Sequence, residues 1–225
     1  MLGRLSESNL PWEKNPSLCR RCVTGMNRGE IVGAEVEISF LFVDVRRSSD
    51  LARRLGTLGF TQVMHRFYEV ATRALFDNDG LLDKFVGDEV VGFFAPFVAG
   101  PRHAERAVDA ARALFRSAGY GSDAGPWLRL GAGVSTGSSF VGFVPRGLDS
   151  EFTAFGDTIN VAAHLAAQAG PGEILVTREV GAVLQTTPSL EPRHVSLKGH
   201  ELDVLVVSVE ERSVPDRVAG ADADA

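Results

Sequence analysis

The sequence predicts an α+β fold, with helices packed on one face of a largely antiparallel sheet. Two observations support this prediction: β-rich apolar runs alternate with runs of helical periodicity, and glycine-containing dipeptides join neighbouring β-rich runs. The composition agrees, because 44% hydrophobic and 23% charged residues are typical of a globular protein. At 225 residues, the chain is long enough for one domain with extensions.

The first half of the predicted domain follows from apolar patterning. Residues 36–45 are apolar nearly throughout, which favours a central strand covered on both faces. Residues 59–74 carry apolar side chains at helical spacing and predict an amphipathic helix. Residues 81–86 and 89–95 are β-rich and flank a Gly-Asp dipeptide, so they predict a hairpin, and a second long helix is expected over 102–118.

The second half is predicted in the same way. Residues 128–135 and 139–144 are interpreted as a strand pair that turns at a Thr-Gly dipeptide. Asp157 is expected to be the N-cap of a third helix, which a Gly-Pro dipeptide ends at 170–171. Further strands are predicted over 174–177, 193–197 and 204–209. This order is that of a ferredoxin-like β-α-β-β-α-β core with extra C-terminal strands and helix.

The two ends of the chain differ from the predicted domain, which is placed at 36–210. Residues 1–35 are predicted to be a leader with little regular structure, and 211–225 a flexible tail. Cys19 and Cys22 have the spacing of half a zinc site. Either a site is shared across a dimer or the two thiols are inert.

Charge and hydropathy exclude several classes of protein. Lys and Arg number 23 against 29 Asp and Glu, and this net charge of −6 argues against a nucleic-acid-binding or polybasic membrane protein. No apolar run approaches the length of a membrane span, and the N-terminus lacks the apolar segment of a signal peptide. We therefore expect a cytoplasmic protein with neither nucleic acid nor membrane as a partner.

Carboxylates at two predicted strand ends indicate a metal–nucleotide site. Asp44 lies near the end of an apolar strand, where a carboxylate is costly unless something compensates it, and Asp88 lies in a turn shortly after Lys84. Hard oxygen ligands hold a metal ion and the metal holds phosphate, so few other protein ligands are needed. Either aspartate alone would be interpreted as an exposed turn residue. Together, on neighbouring strands, they favour the site.

Three motifs carry a specific resemblance. In their order and separations they resemble the catalytic domain of class III nucleotidyl cyclases, the adenylyl and guanylyl cyclases. The motifs are FVDV at 42–45, KFVGD at 84–88 and FGDTINVAA at 155–163. Each motif alone is weak, whereas the ordered set is specific. The resemblance covers about 35–209 and implies the sandwich fold of that domain.

The resemblance implies roles for individual residues. Asp44 and Asp88 match the aspartates that bind two Mg²⁺ or Mn²⁺ ions, and Val45 matches a position whose backbone carbonyl also contacts metal. Lys84 matches the lysine that reads the purine edge, and Thr153 stands where its partner is found.

Further matches concern the sugar and the phosphates. Asn160 matches the asparagine that positions the ribose, and Arg129 and Lys198 match basic residues that hold the triphosphate. In the family these groups come from two chains that meet head to tail. A homodimer is therefore implied.

The base preference follows from hydrogen-bond chemistry. Lysine only donates, so Lys84 suits N1 of adenine, which accepts, and not the N1–H of guanine. The Thr153 hydroxyl can accept from the adenine amino group but can also donate, so it discriminates less than a carboxylate would. ATP is therefore the expected substrate.

Two positions depart from the family pattern at the triphosphate end. His164 stands where active members carry an arginine, four residues after Asn160 and thus on the same helix face. Histidine is shorter and only partly charged near neutrality, and the loss of one preorganised donor costs roughly 10²–10³ in rate. Alternatively, His164 is a helix residue without a catalytic role. Arg47 replaces a small residue and either adds a phosphate contact or crowds the turn.

Three hypotheses about function remain open at this point. The first is an adenylyl cyclase that makes 3′,5′-cyclic AMP and pyrophosphate, slowed by His164. The second is a catalytically weak or inactive cyclase-fold protein that binds nucleotide or regulates a partner. The third is a metal-dependent nucleotidyl transferase with another acceptor.

Overall fold

The computed structural model describes residues 11–12, 15–19, 33–146, 149–184, 191–197 and 200–208. The strands are β1 (Pro11–Trp12), β2 (Asn15–Cys19), β3 (Gly33–Val45), β4 (Leu81–Val86), β5 (Glu89–Phe94), β6 (Leu130–Arg146), β7 (Asp149–Phe155), β8 (Glu173–Thr177), β9 (Glu191–Leu197) and β10 (His200–Ser208). The helices are α1 (Ser48–Phe76), α2 (Pro96–Ala99), α3 (His103–Ser117), α4 (Asp157–Gln168) and α5 (Arg178–Val183). The predicted α+β fold is confirmed.

One eight-stranded sheet organises the domain. Its order is β4-β5-β3-β6-β8-β10-β9, and β7 pairs with the second half of β6. Strand β3 lies between β5 and β6, as expected of a central strand. Among the described strand pairs, β6 and β8 are parallel and the others antiparallel. Within the predicted leader, β1 and β2 form a separate antiparallel pair.

Helices cover both faces of this sheet, so the prediction that they lie on one face was wrong. On one face Leu41, Val43 and Val45 of β3 pack into a core with α1 and α3. On the other face Phe40 and Phe42 pack against α4, together with Ile38 of the same strand. Successive side chains of a strand point to opposite faces, so a strand that is apolar throughout needs cover on both.

Strand β6 is a single strand of 17 residues, and the predicted turn at Thr136 and Gly137 was wrong. Its residues 130–142 pair without interruption with β3. Gly137 allows α4 to come close, because a Cβ at this position would lie 2.8 Å from Thr158 Oγ1. The glycine therefore serves packing between sheet and helix, and a two-residue pattern does not distinguish that from a turn.

Two helix starts also differ from prediction. Helix α1 begins at Ser48, with a break at Gly56, where φ is 68° and ψ is 176°. The predicted helix over 59–74 is the part after this break. Asp157 is the first residue of α4, and the N-cap is Gly156, without a side-chain cap. Strand β7 was not predicted.

Some of the predicted features cannot be compared with the structure. Cys22, Lys198 and the tail 211–225 lie outside the described residues. None of the helices in the described part of the chain is both long and apolar enough to cross a membrane.

Candidate active site

The end of β3 and the β4–β5 turn bring the two predicted metal-binding aspartates together. Asp44 is paired in register with Glu89 of β5 and Gly131 of β6. The Val45 N–H donates to the Asp88 carbonyl at 3.2 Å, which ties the turn to the strand end. Gly87 precedes Asp88 with φ of 60°, a conformation that glycine adopts at little cost.

Asp44, Val45, Asp88 and Arg129 line one open cleft of about 640 Å³. Arg46, Arg47, the first three residues of α1 (48–50) and Pro171 complete its lining. Strand β3 and the residue before β6 are joined here, since the Arg46 N–H donates to the Arg129 carbonyl at 2.8 Å. The predicted metal ligands and a predicted triphosphate-binding residue therefore line the same cleft.

Arg46 supplies the charge compensation that Asp44 requires, and sequence reasoning missed it. Its guanidinium forms an ion pair with Asp44. It also donates to the carbonyls of Ala167 and Ala169, each at 3.1 Å, where α4 ends. Burial lowers the pKa of Arg46, while Asp88 and Glu89 act in the opposite direction. The signal in the sequence was the apolar strand that ends in a carboxylate followed by an arginine.

Negative charge accumulates in the β4–β5 turn. Burial and then the Asp88 charge raise the pKa of Glu89, and Arg46 opposes them. Tyr68 of α1 donates a hydrogen bond to the Gly87 carbonyl. Burial and then Asp88 raise the pKa of this phenol as well. The turn is therefore both held by α1 and suited to a cation.

The donors at this site fit a hard divalent cation that is bound together with phosphate. In the described ranges, no cluster of three or more His, Cys, Asp or Glu side chains is placed to hold a metal by itself. Three carboxylates line the cleft: Asp44 and Asp88 are the predicted metal ligands, and Asp50 pairs with Arg53. Mg²⁺ is commonly bound by one or two carboxylates, with substrate phosphates and water as the other ligands. These residues match that mode of binding.

A buried carboxylate joins the two residues predicted to read the base. Thr153 Oγ1 donates to Asp83 Oδ1 at 2.9 Å, and Lys84 Nζ lies 3.2 Å from Asp83 Oδ2. The Asp83 side chain is 2% exposed and that of Lys84 50% exposed. Thr153 is buried. Lys84 and Thr153 were predicted from sequence motifs, whereas the aspartate that joins them was not.

Two predicted site residues on α4 are not among those that line this cleft. Asn160 is exposed on α4, one turn before His164. His164 Nε2 lies 2.5 Å from the Ser196 carbonyl of β9 and 2.5 Å from Gln168 Nε2, which itself donates to that carbonyl at 3.0 Å. This places the imidazole against β9.

One protomer thus presents the predicted site residues in separate groups. Asp44, Val45, Asp88 and Arg129 share the cleft, whereas Lys84 and Thr153 meet at Asp83. In the described part of the chain, the base-reading pair and Asn160 and His164 are not among the residues that line the cleft.

Comparison with known proteins gives a consistent result. A family model described as the adenylate and guanylate cyclase catalytic domain matches residues 32–208. An uncharacterized protein of Mycobacterium tuberculosis strain H37Rv is 27% identical over 182 residues, which cover 79% of this chain and 33% of that protein. The chain thus spans about a third of the length of this curated relative.

Two solved structures have the same fold. The adenylyl cyclase CyaB from P. aeruginosa matches with a TM-score of 0.69 and 21% identity, over 82% of this chain and 100% of that one. The guanylyl cyclase Cya2 matches with a TM-score of 0.68 and 20% identity, over 82% and 97% of the two chains. Similarity of fold therefore extends to enzymes of both base specificities.

Proposed function

Because the chain belongs to the adenylate and guanylate cyclase catalytic-domain family, we propose that it converts ATP to 3′,5′-cyclic AMP and pyrophosphate. The observation that carries the choice of ATP is the pair formed by Lys84 and Thr153 around Asp83. Lys84 donates, as adenine N1 requires, and Thr153 offers an acceptor to the adenine amino group. Members of this family are nucleotidyl cyclases, which are lyases and generally use divalent metal ions.

In the proposed reaction the chain binds and orients the substrate. Asp44 and Asp88 would hold Mg²⁺ or Mn²⁺, with the Val45 carbonyl beside them. A metal ion held there would supply charge neutralisation at the triphosphate and would favour loss of the proton from the 3′-hydroxyl. Arg129 and Lys198 hold the phosphates. The attacking oxygen belongs to the substrate, so the protein needs no nucleophile of its own.

The ribose end of the substrate depends on α4. Asn160 is exposed there and positions the ribose, so that the 3′-oxygen faces the α-phosphorus. His164 replaces the arginine that would stabilise charge on the triphosphate. Its contact with the Ser196 carbonyl occupies Nε2, which supports a slowed reaction.

A head-to-tail homodimer is part of the proposal. The metal cleft of one protomer would be completed by the base-reading residues of its partner, because one chain presents these groups separately. Apolar side chains beside both groups are exposed, namely Phe85 at 37%, Val86 at 50% and Phe155 at 52%. Such residues favour an interface at this surface. A cytoplasmic location, with neither nucleic acid nor membrane as partner, completes the proposal.

The second candidate is a weak or inactive cyclase-fold protein that binds nucleotide or regulates a partner. The observation in its favour is His164, which is hydrogen-bonded to β9 rather than free to reach phosphate. In that case ATP would stabilise the protein without being converted.

Production of cyclic nucleotide by the purified protein tests the proposal. We expect cyclic AMP from ATP with Mn²⁺ or Mg²⁺, less product from GTP, and no product from Asp44→Ala. No cyclic product from the wild type under any of these conditions, with a nucleotide-dependent rise in melting temperature, would contradict the cyclase and support the second candidate. Assay of the same samples for transfer of a nucleotide to a primer would expose a nucleotidyl transferase.

A further inference from the structure

Strand β4 is irregular at Asp83. Leu82 pairs with Gly92 and Lys84 with Val91, so the register shifts across Asp83. A bulge of this kind adds a residue and redirects its side chain. Asp83 and Lys84, although neighbours in sequence, differ in environment: the Asp83 side chain is buried, while half of the Lys84 side chain is exposed.

The buried Asp83 carboxylate meets a strand from a distant part of the chain. Thr153 of β7 is 70 residues away in sequence, and its hydroxyl donates to Oδ1. Beside this contact, Leu81 of β4, Phe93 of the neighbouring strand β5 and Phe152 of β7 belong to one buried core, in which the rings of Phe93 and Phe152 lie 6.2 Å apart. The contact is therefore supported by packing on both sides.

This contact determines which way the Thr153 hydroxyl points. A hydroxyl has one proton to donate and two lone pairs that accept, whereas an ionised carboxylate only accepts. The ammonium of Lys84, 3.2 Å from Oδ2, pairs with the charged form of Asp83. Once the Thr153 proton is given to Oδ1, only the lone pairs of Thr153 remain for a ligand.

We propose that Asp83 is a positioning residue that determines base specificity, because it holds Thr153 as a hydrogen-bond acceptor beside the donor Lys84. Adenine presents a donor at its 6-amino group and an acceptor at N1, which complements this pair. Hypoxanthine and guanine present the reverse, an acceptor at O6 and a donor at N1. With its proton given to Asp83, Thr153 can only accept, so it should discriminate adenine from guanine as strongly as a carboxylate at position 153 would. The inference rests on the proposed function for the identity of the base-reading pair.

The test compares two nucleotides that differ on this edge of the base and cannot cyclise. Affinities of the full chain for 3′-deoxy-ATP and 3′-deoxy-ITP are measured in Mn²⁺. We expect the wild type to prefer the adenine analogue. In Asp83→Ala we expect the preference to fall by about tenfold, the scale of one hydrogen bond that becomes mismatched, because Thr153 can then rotate and donate to O6.

Two variants separate this role from a merely structural one. Asp83→Asn keeps an oxygen that can accept from Thr153, so it should retain more of the preference than Asp83→Ala. Thr153→Val should lose the part of the preference that Asp83 controls and keep the part due to Lys84, so that adding Asp83→Ala to Thr153→Val should change the ratio no further. Damage to the fold would weaken the binding of both analogues and leave the ratio of their affinities unchanged. Melting temperatures of the variants show directly whether the fold is damaged.

The outcomes distinguish this inference from the proposed function. Equal affinity of the wild type for the two analogues, no binding of either, or an unchanged ratio in Asp83→Ala would overturn the role of Asp83, even if cyclic AMP is made. A preference that depends on Asp83, in a protein that makes no cyclic nucleotide, would support the inference while contradicting the cyclase.

Discussion

The Tyr68 hydroxyl of α1 donates a hydrogen bond to the Gly87 carbonyl, one residue before the predicted metal ligand Asp88. The tyrosine ring also lies 4.3 Å, centroid to centroid, from the ring of Phe85 on the same hairpin. Helix α1 thus holds the turn that carries a carboxylate of the cleft. Sequence patterning placed Asp88 in a turn but gave no sign of what holds that turn.

Replacement of Tyr68 by Phe tests whether this hydrogen bond positions Asp88. The ring contact is retained and one hydrogen bond is lost, worth about 0.5–1.5 kcal/mol. We expect a loss of activity of roughly threefold to tenfold, with a higher metal concentration needed for half-maximal rate. Titration of Mn²⁺ at saturating ATP measures both. Thr61→Val, which removes a hydroxyl bonded within α1 itself, is the control. An unchanged metal requirement in Tyr68→Phe would exclude the positioning role.

Arg47 has a left-handed backbone conformation, with φ of 59° and ψ of 35°, directly before α1. For a residue other than glycine, this left-handed conformation costs about 1–2 kcal/mol of conformational energy. The Arg47 side chain is 74% exposed, and its Nε lies 3.7 Å from Asp50 Oδ2. An ion pair this exposed offsets little of the backbone cost. We expect Arg47→Gly to raise the free energy of unfolding, because glycine adopts this conformation at little cost. Arg47→Ala keeps the Cβ and should not raise it. Urea denaturation measures both variants.

The same pair of variants decides what the Arg47 side chain does at the cleft. If it contacts phosphate, both variants should raise the KM for ATP several-fold. If it crowds the turn, both should lower the KM. A KM that changes in Arg47→Gly but not in Arg47→Ala would assign the effect to the backbone instead.

His164→Arg is expected to accelerate the reaction by about tenfold to a hundredfold, since it restores the permanently charged donor that active members of the family carry at this position. Arginine is longer than histidine and can reach past the Ser196 carbonyl that now engages the ring. The initial rate of cyclic AMP formation measures the effect. His164→Gln, which retains a donor to the carbonyl without a charge, is the matched control. Equal rates in the two variants would show that charge at this position is unimportant.

Glu173 makes stability depend on pH. Hydrogen bonds from Arg193, at 2.7 and 2.8 Å, lower its pKa from 4.5, and a bond from the Gly170 N–H acts in the same direction against burial. A carboxylate with a lowered folded-state pKa stabilises the protein above its unfolded pKa, and this contribution is lost as the pH falls through the folded value. The free energy of unfolding should therefore decrease as the pH falls below about 4.5.

Glu173→Gln isolates that contribution. The variant should be less stable than the wild type at pH 7, and the difference should shrink towards pH 3 as the wild-type carboxylate is protonated. Urea denaturation at several pH values provides the measurement, and Glu69→Gln on α1 controls for a general loss of charge. A difference independent of pH would mean that the ion pair with Arg193 does not produce the effect.

The sequence by itself predicted most of the elements and a candidate chemistry for the chain, because these predictions depend on local patterns. An apolar run predicted β3, helical spacing predicted most of α1 and α3, and ordered motifs predicted Asp44, Asp88 and Lys84. Local patterns gave a wrong prediction where one residue type is used for two purposes, as glycine is used both in turns and at close contacts between elements. Gly137 admits a helix side chain rather than turning the chain, as its Cβ position 2.8 Å from Thr158 Oγ1 shows.

Only the tertiary structure decided which distant residues meet. Arg46 reaches from Asp44 to the end of α4, and Asp83 reaches across 70 residues to Thr153. Buried polar groups must find partners somewhere, but the sequence does not say which ones, since that depends on how strands are paired and helices packed. The register shift at Asp83 and the cover of both faces of β3 arise at that level, from pairing and packing that no single segment contains.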